Sequence, residues 1–208
     1  MKKLQSSLTN MILVLTIVAL VAGGILAWVN SVTAPQIEQI NADNLKKGIR
    51  KVMGADNIQV SQPEVKDEYE FYTVTDATGY QLGTAVTTAT LGFGGKLKVL
   101  VGFNPEGTIL GYTILDSSET PGLGTKASTW FQKGQKGNVI GKNPGQCNLT
   151  VSKDGGDIDA ITASTITSRA FLKAIQQAYD ELRARHASQT ETTCIQSAED
   201  NKKGGSAL

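Results

Sequence analysis

From Met11 to Val29 the chain reads MILVLTIVALVAGGILAWV, nineteen positions without a charge. At ~1.5 Å rise per helical residue, such a run nearly spans a hydrocarbon core of ~30 Å. Trp28 stands at its far end, where an amphipathic ring favours the membrane interface. A cleaved leader has a shorter apolar stretch of ~7–15 residues. The small-residue site Val32-Thr33-Ala34 is also followed at once by Pro35, a poor residue after a cut. The pattern therefore predicts a retained transmembrane helix over 11–29. Lys2 and Lys3 precede it, and the charges after it, from Glu38 on, include acids. The positive-inside rule then expects residues 1–10 in the cytoplasm and the remaining chain outside.

Beyond Pro35 the period changes. Ile37, Ile40, Ile49, Val52 and Met53 fall near one helical face, which predicts a helical stalk within 30–55, stopped by Gly54. A β region follows, rich in Thr, Val, Tyr and Phe. EFYTVTD and YQLGTAVTTAT form two strands around the turn Ala77-Thr78-Gly79. KLKVLVGFN and TILGYTIL form two more around Asn104-Pro105-Glu106-Gly107. TKASTWFQK predicts a short helix, KGQKGNVIGKNPGQ a loop, and CNLTVSKDGGDIDAI a hairpin turning at Asp154-Gly155-Gly156. The last helix is marked by Ile166, Ala170, Phe171, Ala174, Ile175, Ala178, Tyr179 and Leu182 on one face. Residues 187–208 are polar and small, and a frayed, disordered tail is expected there. The fold class is α+β: a single N-terminal transmembrane helix, then an antiparallel sheet covered by helices.

Charge narrows the function. Lys+Arg is 20 and Asp+Glu 19 in 208 residues, so no basic excess is available for a nucleic-acid backbone. Cys147 and Cys194 stand apart without metal-ligand spacing, which argues against a metal site or iron–sulfur cluster. The chain is strangest at the start of the last helix. Between Thr162 and Ser168, five of seven positions carry a hydroxyl. N-capping needs one or two of them. Nucleophilic catalysis needs an adjacent base, yet the one histidine, His186, lies about five turns downstream, and no GxSxG elbow is present. A helix N-terminus with extra hydroxyls suits an anion, a phosphate above all, and the residues alone carry the reading no further.

Asp159-Ala160-Ile161-Thr162-Ala163-Ser164-Thr165 followed by Ile166-Thr167-Ser168 resembles the D-x-x-(S/T)-G-A-T-x-(S/T) signature of FMN-binding domains. Glu119-Thr120-Pro121-Gly122-Leu123-Gly124 is similar to a second hallmark of that family, and Gly92-Phe93-Gly94-Gly95 to its glycine-rich segment. With the anchor, the chain resembles the G subunits of Rnf electron transport complexes, a family related to the C subunit of the sodium-pumping NADH:quinone reductase. The resemblance implies an FMN-binding domain over 56–186, with FMN joined by a phosphoester to Thr165. It further implies a phosphate held by the hydroxyls of Thr162, Thr167 and Ser168 together with helix N–H groups, a ring approached by Thr120 and Leu123, and further cofactor-binding positions at Ala163, Ser164, Glu119 and Gly122. Asp159 would serve recognition by a separate flavin transferase using FAD, which accounts for the missing base. Partners would be the other subunits of a membrane complex that couples electron transfer between ferredoxin and NAD to ion movement. Two positions depart from the signature: Ala163 stands for glycine and Ser164 for alanine. Alanine disfavours positive φ, so a shifted loop is expected. The competing reading is a membrane-anchored, non-redox binding or assembly module in which the hydroxyls only cap a helix.

Overall fold

The computed structural model describes residues 8–55 and 57–204, with side chains through 188. Residues 1–7, part of the expected cytoplasmic segment, and 205–208 of the expected tail lie outside the described residues. The chain divides into two compact units, one ending at Leu45 and one beginning at Lys46.

The first unit is helical. α1 runs Leu8–Met53 without interruption, so the expected anchor and stalk are one helix with Pro35 inside it. Proline removes one backbone donor and crowds the carbonyl four residues back, and the helix continues through it. Its apolar residues from Met11 to Val32 are exposed, and the helix is long and apolar enough to cross a membrane. Ile37 and Ile40 are exposed as well, so only the later part of the expected apolar face is buried.

In the second unit, Ile49 and Val52 of the last turns of α1 are buried against the sheet, with Val52 lying on Gly102 and Gly111. The sheet is an antiparallel meander of β3 (Tyr69–Asp76), β4 (Gln81–Leu91), β5 (Lys96–Phe103) and β6 (Ile109–Ser117). Two short strands, β1 (Ile58–Val60) and β2 (Glu64–Lys66), pair in succession with the outer edge of β3. The sequence pattern does not announce these two. They are three residues each, mostly exposed and separated by Pro63, which suits an edge. β2 is fastened by charge, through Lys66 to Glu181 and Arg185 to Glu64.

α3, Thr165–Gly204, packs on β4 and β5. Its inner residues Phe171, Ala174, Ile175, Ala178 and Leu182 meet Val86, Val99, Val101 and Phe103 in the core. Phe171 stacks on Phe131 at 4.4 Å between centroids and meets Tyr112 edge-on at 4.7 Å. The structure corrects the expected face at one place: Ile166 is exposed, while Thr167 and Ser168 are fully buried. The helix also continues past Ala187 to Gly204, with no Gly or Pro interrupting it before its end.

Residues 131–158 are mostly irregular. The expected hairpin at 147–161 does not form. A 3₁₀ turn, Ser152–Asp154, and a single parallel bridge between Val151 and Ile158 stand in its place. Side chains divert the backbone there: Asp157 Oδ2 accepts the Asn148 N–H, and Asn148 Nδ2 donates to the Gly155 carbonyl. The preceding loop lies along the start of β6, where Ile109 N–H donates to Lys142 O (2.9 Å) and Gly141 N–H to Ile109 O (2.8 Å).

Candidate functional site

Three segments far apart in sequence meet at one end of the sheet. The first is the tight β4–β5 turn, Gly92 to Gly95, closed by Gly92 N–H to Gly95 O at 2.8 Å. The second is the loop after β6, Glu119 to Gly124, which leads into a 3₁₀ turn, Gly124–Lys126, and α2, Ala127–Trp130. The third is the entry to α3. Together they line a cavity of about 410 Å³, within the ~300–1,000 Å³ range of small-molecule sites.

The entry to α3 is a turn in which Ser164 N–H donates to the Ile161 carbonyl at 3.0 Å. Ala163 occupies the left-handed position with φ 62°. Ala163 thus takes up a backbone conformation that suits a glycine. Helical bonding starts with Ser168 N–H to Ser164 O at 3.0 Å. The N–H groups of Thr165, Ile166 and Thr167 thus have no intrahelical acceptor and lie at the positive end of the helix dipole. Thr165 is half-buried at the first helical position and lines the cavity.

The hydroxyls divide into two sets. Those of Thr162 and Thr165 belong to residues that reach the surface. Those of Ser164, Thr167 and Ser168 are buried and committed. Ser168 Oγ accepts the Ile161 N–H and donates to Ser164 O, each at 2.9 Å. Ser164 Oγ donates to Thr167 Oγ1 at 3.0 Å, and Thr167 Oγ1 donates to Glu119 Oε2 at 2.9 Å. Thr167 and Ser168, expected to hold a phosphate, have their hydroxyls bonded to Glu119 and within the loop.

Glu119, 6% exposed, joins all three segments. Its second oxygen, Oε1, accepts the Phe93 N–H at 2.8 Å. Gly92 and Gly124 flank the carboxylate so closely that a Cβ at either would overlap it. One glycine of each motif, Gly92 and Gly124, is therefore space for Glu119. Gly122 N–H donates to Thr125 Oγ1 at 3.0 Å and has φ 76°, a turn role away from the cavity lining. Thr120 and Leu123 line the cavity, whereas Lys126 is exposed and does not line it.

Phe93 is not a core residue. It is 69% exposed and lines the cavity with Leu123 (40%) and Ile166 (52%). Three large apolar side chains from three elements thus crowd one opening. Asp159 is exposed outside the cavity. Its carboxylate accepts from Ser152 Oγ at 3.2 Å, and its carbonyl accepts Trp130 Nε1–H at 2.8 Å.

The sequence matches a known family over this same region: residues 92–180 fit the FMN-binding domain. The G subunit of the ion-translocating oxidoreductase complex of Shewanella oneidensis is 32% identical over 182 residues, covering 80% of this chain and 85% of that protein. The G subunit of the Na(+)-translocating ferredoxin:NAD(+) oxidoreductase complex of Acetobacterium woodii is 32% identical over 190 residues, covering 82% and 90%. The crystal structure of Shewanella oneidensis NqrC is similar over 60% of this chain and 69% of its own, at 20% identity and a TM-score of 0.42. With two relatives at 32% identity over most of its length, the chain belongs to the family of G subunits of ion-translocating oxidoreductase complexes.

Proposed function

We propose that this chain is a membrane-anchored flavoprotein subunit of an ion-translocating electron transport complex, carrying FMN as a phosphoester on Thr165. The observation that carries the reading is the setting of Thr165. Its hydroxyl belongs to the first residue of α3, among free N–H donors, on the rim of a cavity walled by exposed apolar side chains.

The residues fit such a group in two respects. The helix N-terminus favours a phosphate through its donors and dipole, and a phosphoester at Thr165 leaves the phosphate next to them. Phe93, Leu123 and Ile166 offer apolar surface to a planar ring while Thr120 and the loop backbone offer polar contacts. Bound FMN supplies one- and two-electron redox chemistry, and the protein supplies position and electrostatics. Thr162, with an exposed hydroxyl, is available to contact the phosphate; Thr167 and Ser168 act by fixing the turn.

The attachment belongs to a separate transferase. Thr165 Oγ1 bonds to the FMN phosphorus of FAD, the pyrophosphate P–O bond breaks, AMP leaves, and the hydroxyl proton passes to the transferase. Asp159, exposed on the approach to α3, serves its recognition. Electrons then pass between ferredoxin and NAD branches whose sites lie on partner subunits. Lys2 and Lys3 ahead of α1 favour a domain on the extracytoplasmic side.

The test is denaturing electrophoresis of the chain from its native host, viewed by in-gel flavin fluorescence, with intact mass in parallel. Wild type should fluoresce and carry the mass of one FMN less one water, and Thr165→Val should do neither. A dark wild-type band at unmodified mass, from a host with active flavin transferase, would leave the non-redox binding module as the better reading.

A further inference from the structure

We propose that Glu119 is the positioning and potential-setting residue of this site: its carboxylate pins the Phe93 turn to the first turn of α3 and places a negative charge without a counter-cation beside the flavin. The proposal rests on the reading of the cavity as a flavin site. Glu119 is 6% exposed and accepts two hydrogen bonds from opposite sides, Phe93 N–H on Oε1 (2.8 Å) and Thr167 Oγ1 on Oε2 (2.9 Å). The chain of donors extends to Ser164 Oγ, which donates to Thr167 Oγ1 at 3.0 Å. Successive hydroxyl donors polarise one another in a buried setting, so the relay strengthens the bond that reaches the carboxylate. Ser164 is one of the two departures from the family signature, and this relay is what its hydroxyl adds.

The pin acts on the ring through Phe93. That side chain is 69% exposed on a turn with glycine on both sides, and the backbone bond to Glu119 fixes where the turn stands. The charge acts directly. Glu119 lines the cavity, and none of the ion pairs among the described residues involves it. A carboxylate at a poorly solvated wall is felt more strongly than in water, and a negative charge there opposes the arrival of electrons. It holds the reduction potential of the group low.

Four full-length chains from the native host test this: wild type, Glu119→Gln, Thr167→Val and Thr167→Ser, each first checked for a cooperative thermal transition. Amide exchange at Phe93 is read in a Thr165→Val background that carries no flavin. Thr167→Val should speed that exchange at least tenfold, and Thr167→Ser, which keeps the donor, should restore protection. On the flavin-carrying chains, Glu119→Gln, which removes the charge, should raise the midpoint potential. A tenfold gain in the reduction equilibrium would read as ~30 mV for a two-electron couple. Unchanged Phe93 exchange in Thr167→Val, an unchanged potential in Glu119→Gln, or a folded Glu119→Gln that takes up no flavin would each overturn the proposal. A wild-type chain without flavin would defeat the flavin reading itself, while the exchange measurements would still decide the pin.

Discussion

Ala163→Gly should stabilise the domain, against the usual direction for a glycine substitution. Ala163 has φ 62°, and an L-residue held in the left-handed region costs ~1–2 kcal/mol. Glycine removes that cost but gives the unfolded chain more freedom, worth ~0.4–1 kcal/mol. Ala163 is exposed, so losing one methyl forfeits little buried surface. The balance is a gain of about 0.5–1 kcal/mol. For a domain of this size one kcal/mol corresponds to ~2–4 °C, so the expected rise in Tm is about 1–4 °C. The assay is thermal unfolding of the detergent-solubilised full chain in a Thr165→Val background, which removes any contribution of a bound group. Ala163→Val should move the other way, because a β-branched residue tolerates this region less well. An unchanged or lowered Tm for the glycine variant would refute the argument and imply that the turn relaxes out of the left-handed region in solution.

Phe171→Ala should cost ~3–5 kcal/mol in urea unfolding, since a fully buried ring is lost from between Phe131 and Tyr112; a loss below ~1 kcal/mol would mean that the core collapses into the gap. Arg169 holds the Asp154 carboxyl below its ordinary value, chiefly through their hydrogen bonds at 2.7 Å. A depressed carboxylate adds stability above its unfolded pKa of about 3.9 and loses that contribution as pH falls through the lower folded value. Acid unfolding below about pH 4 should therefore be shallower in Asp154→Asn than in wild type, by a small amount because the pair is exposed; equal slopes would remove the pair from the acid response.

The strands from Tyr69 to Ser117 were legible because each pairs with its sequence neighbour, so alternation and turn chemistry suffice to place them. Asp76 shows how local that information is: its Oδ1 accepts from Thr78 N–H, Thr78 Oγ1 and Tyr80 N–H, all within four residues. β1 and β2 were not legible, since their pairing depends on the finished edge of β3 and, for β2, on ion pairs to α3. The same limit governs the site. The motif around Thr165 is visible as a string, and so is the glycine turn at Gly92. That three of its hydroxyl residues look inward is not, because the partner that turns Thr167 inward is Glu119, 48 positions away. The irregular stretch before Ile158 misled through composition. Asp-Gly-Gly is good hairpin chemistry, but Asn148 and Asp157 supply competing bonds that no periodicity reports.

The loop along the start of β6 has a consequence for life in a crowded membrane. β6 is the last strand of the meander, and an open strand edge is a template for pairing with another chain. Anchored proteins meet in two dimensions at high local concentration, which favours such pairing. The Ile109–Lys142 and Gly141–Ile109 bonds occupy the backbone groups where β6 begins, and Asp116 puts a charge toward its far end. A stretch rich in Gly, Lys and Asn, with no strand of its own, thus acts as a guard against edge-to-edge aggregation. Loosening it would show first as self-association, before any loss of fold.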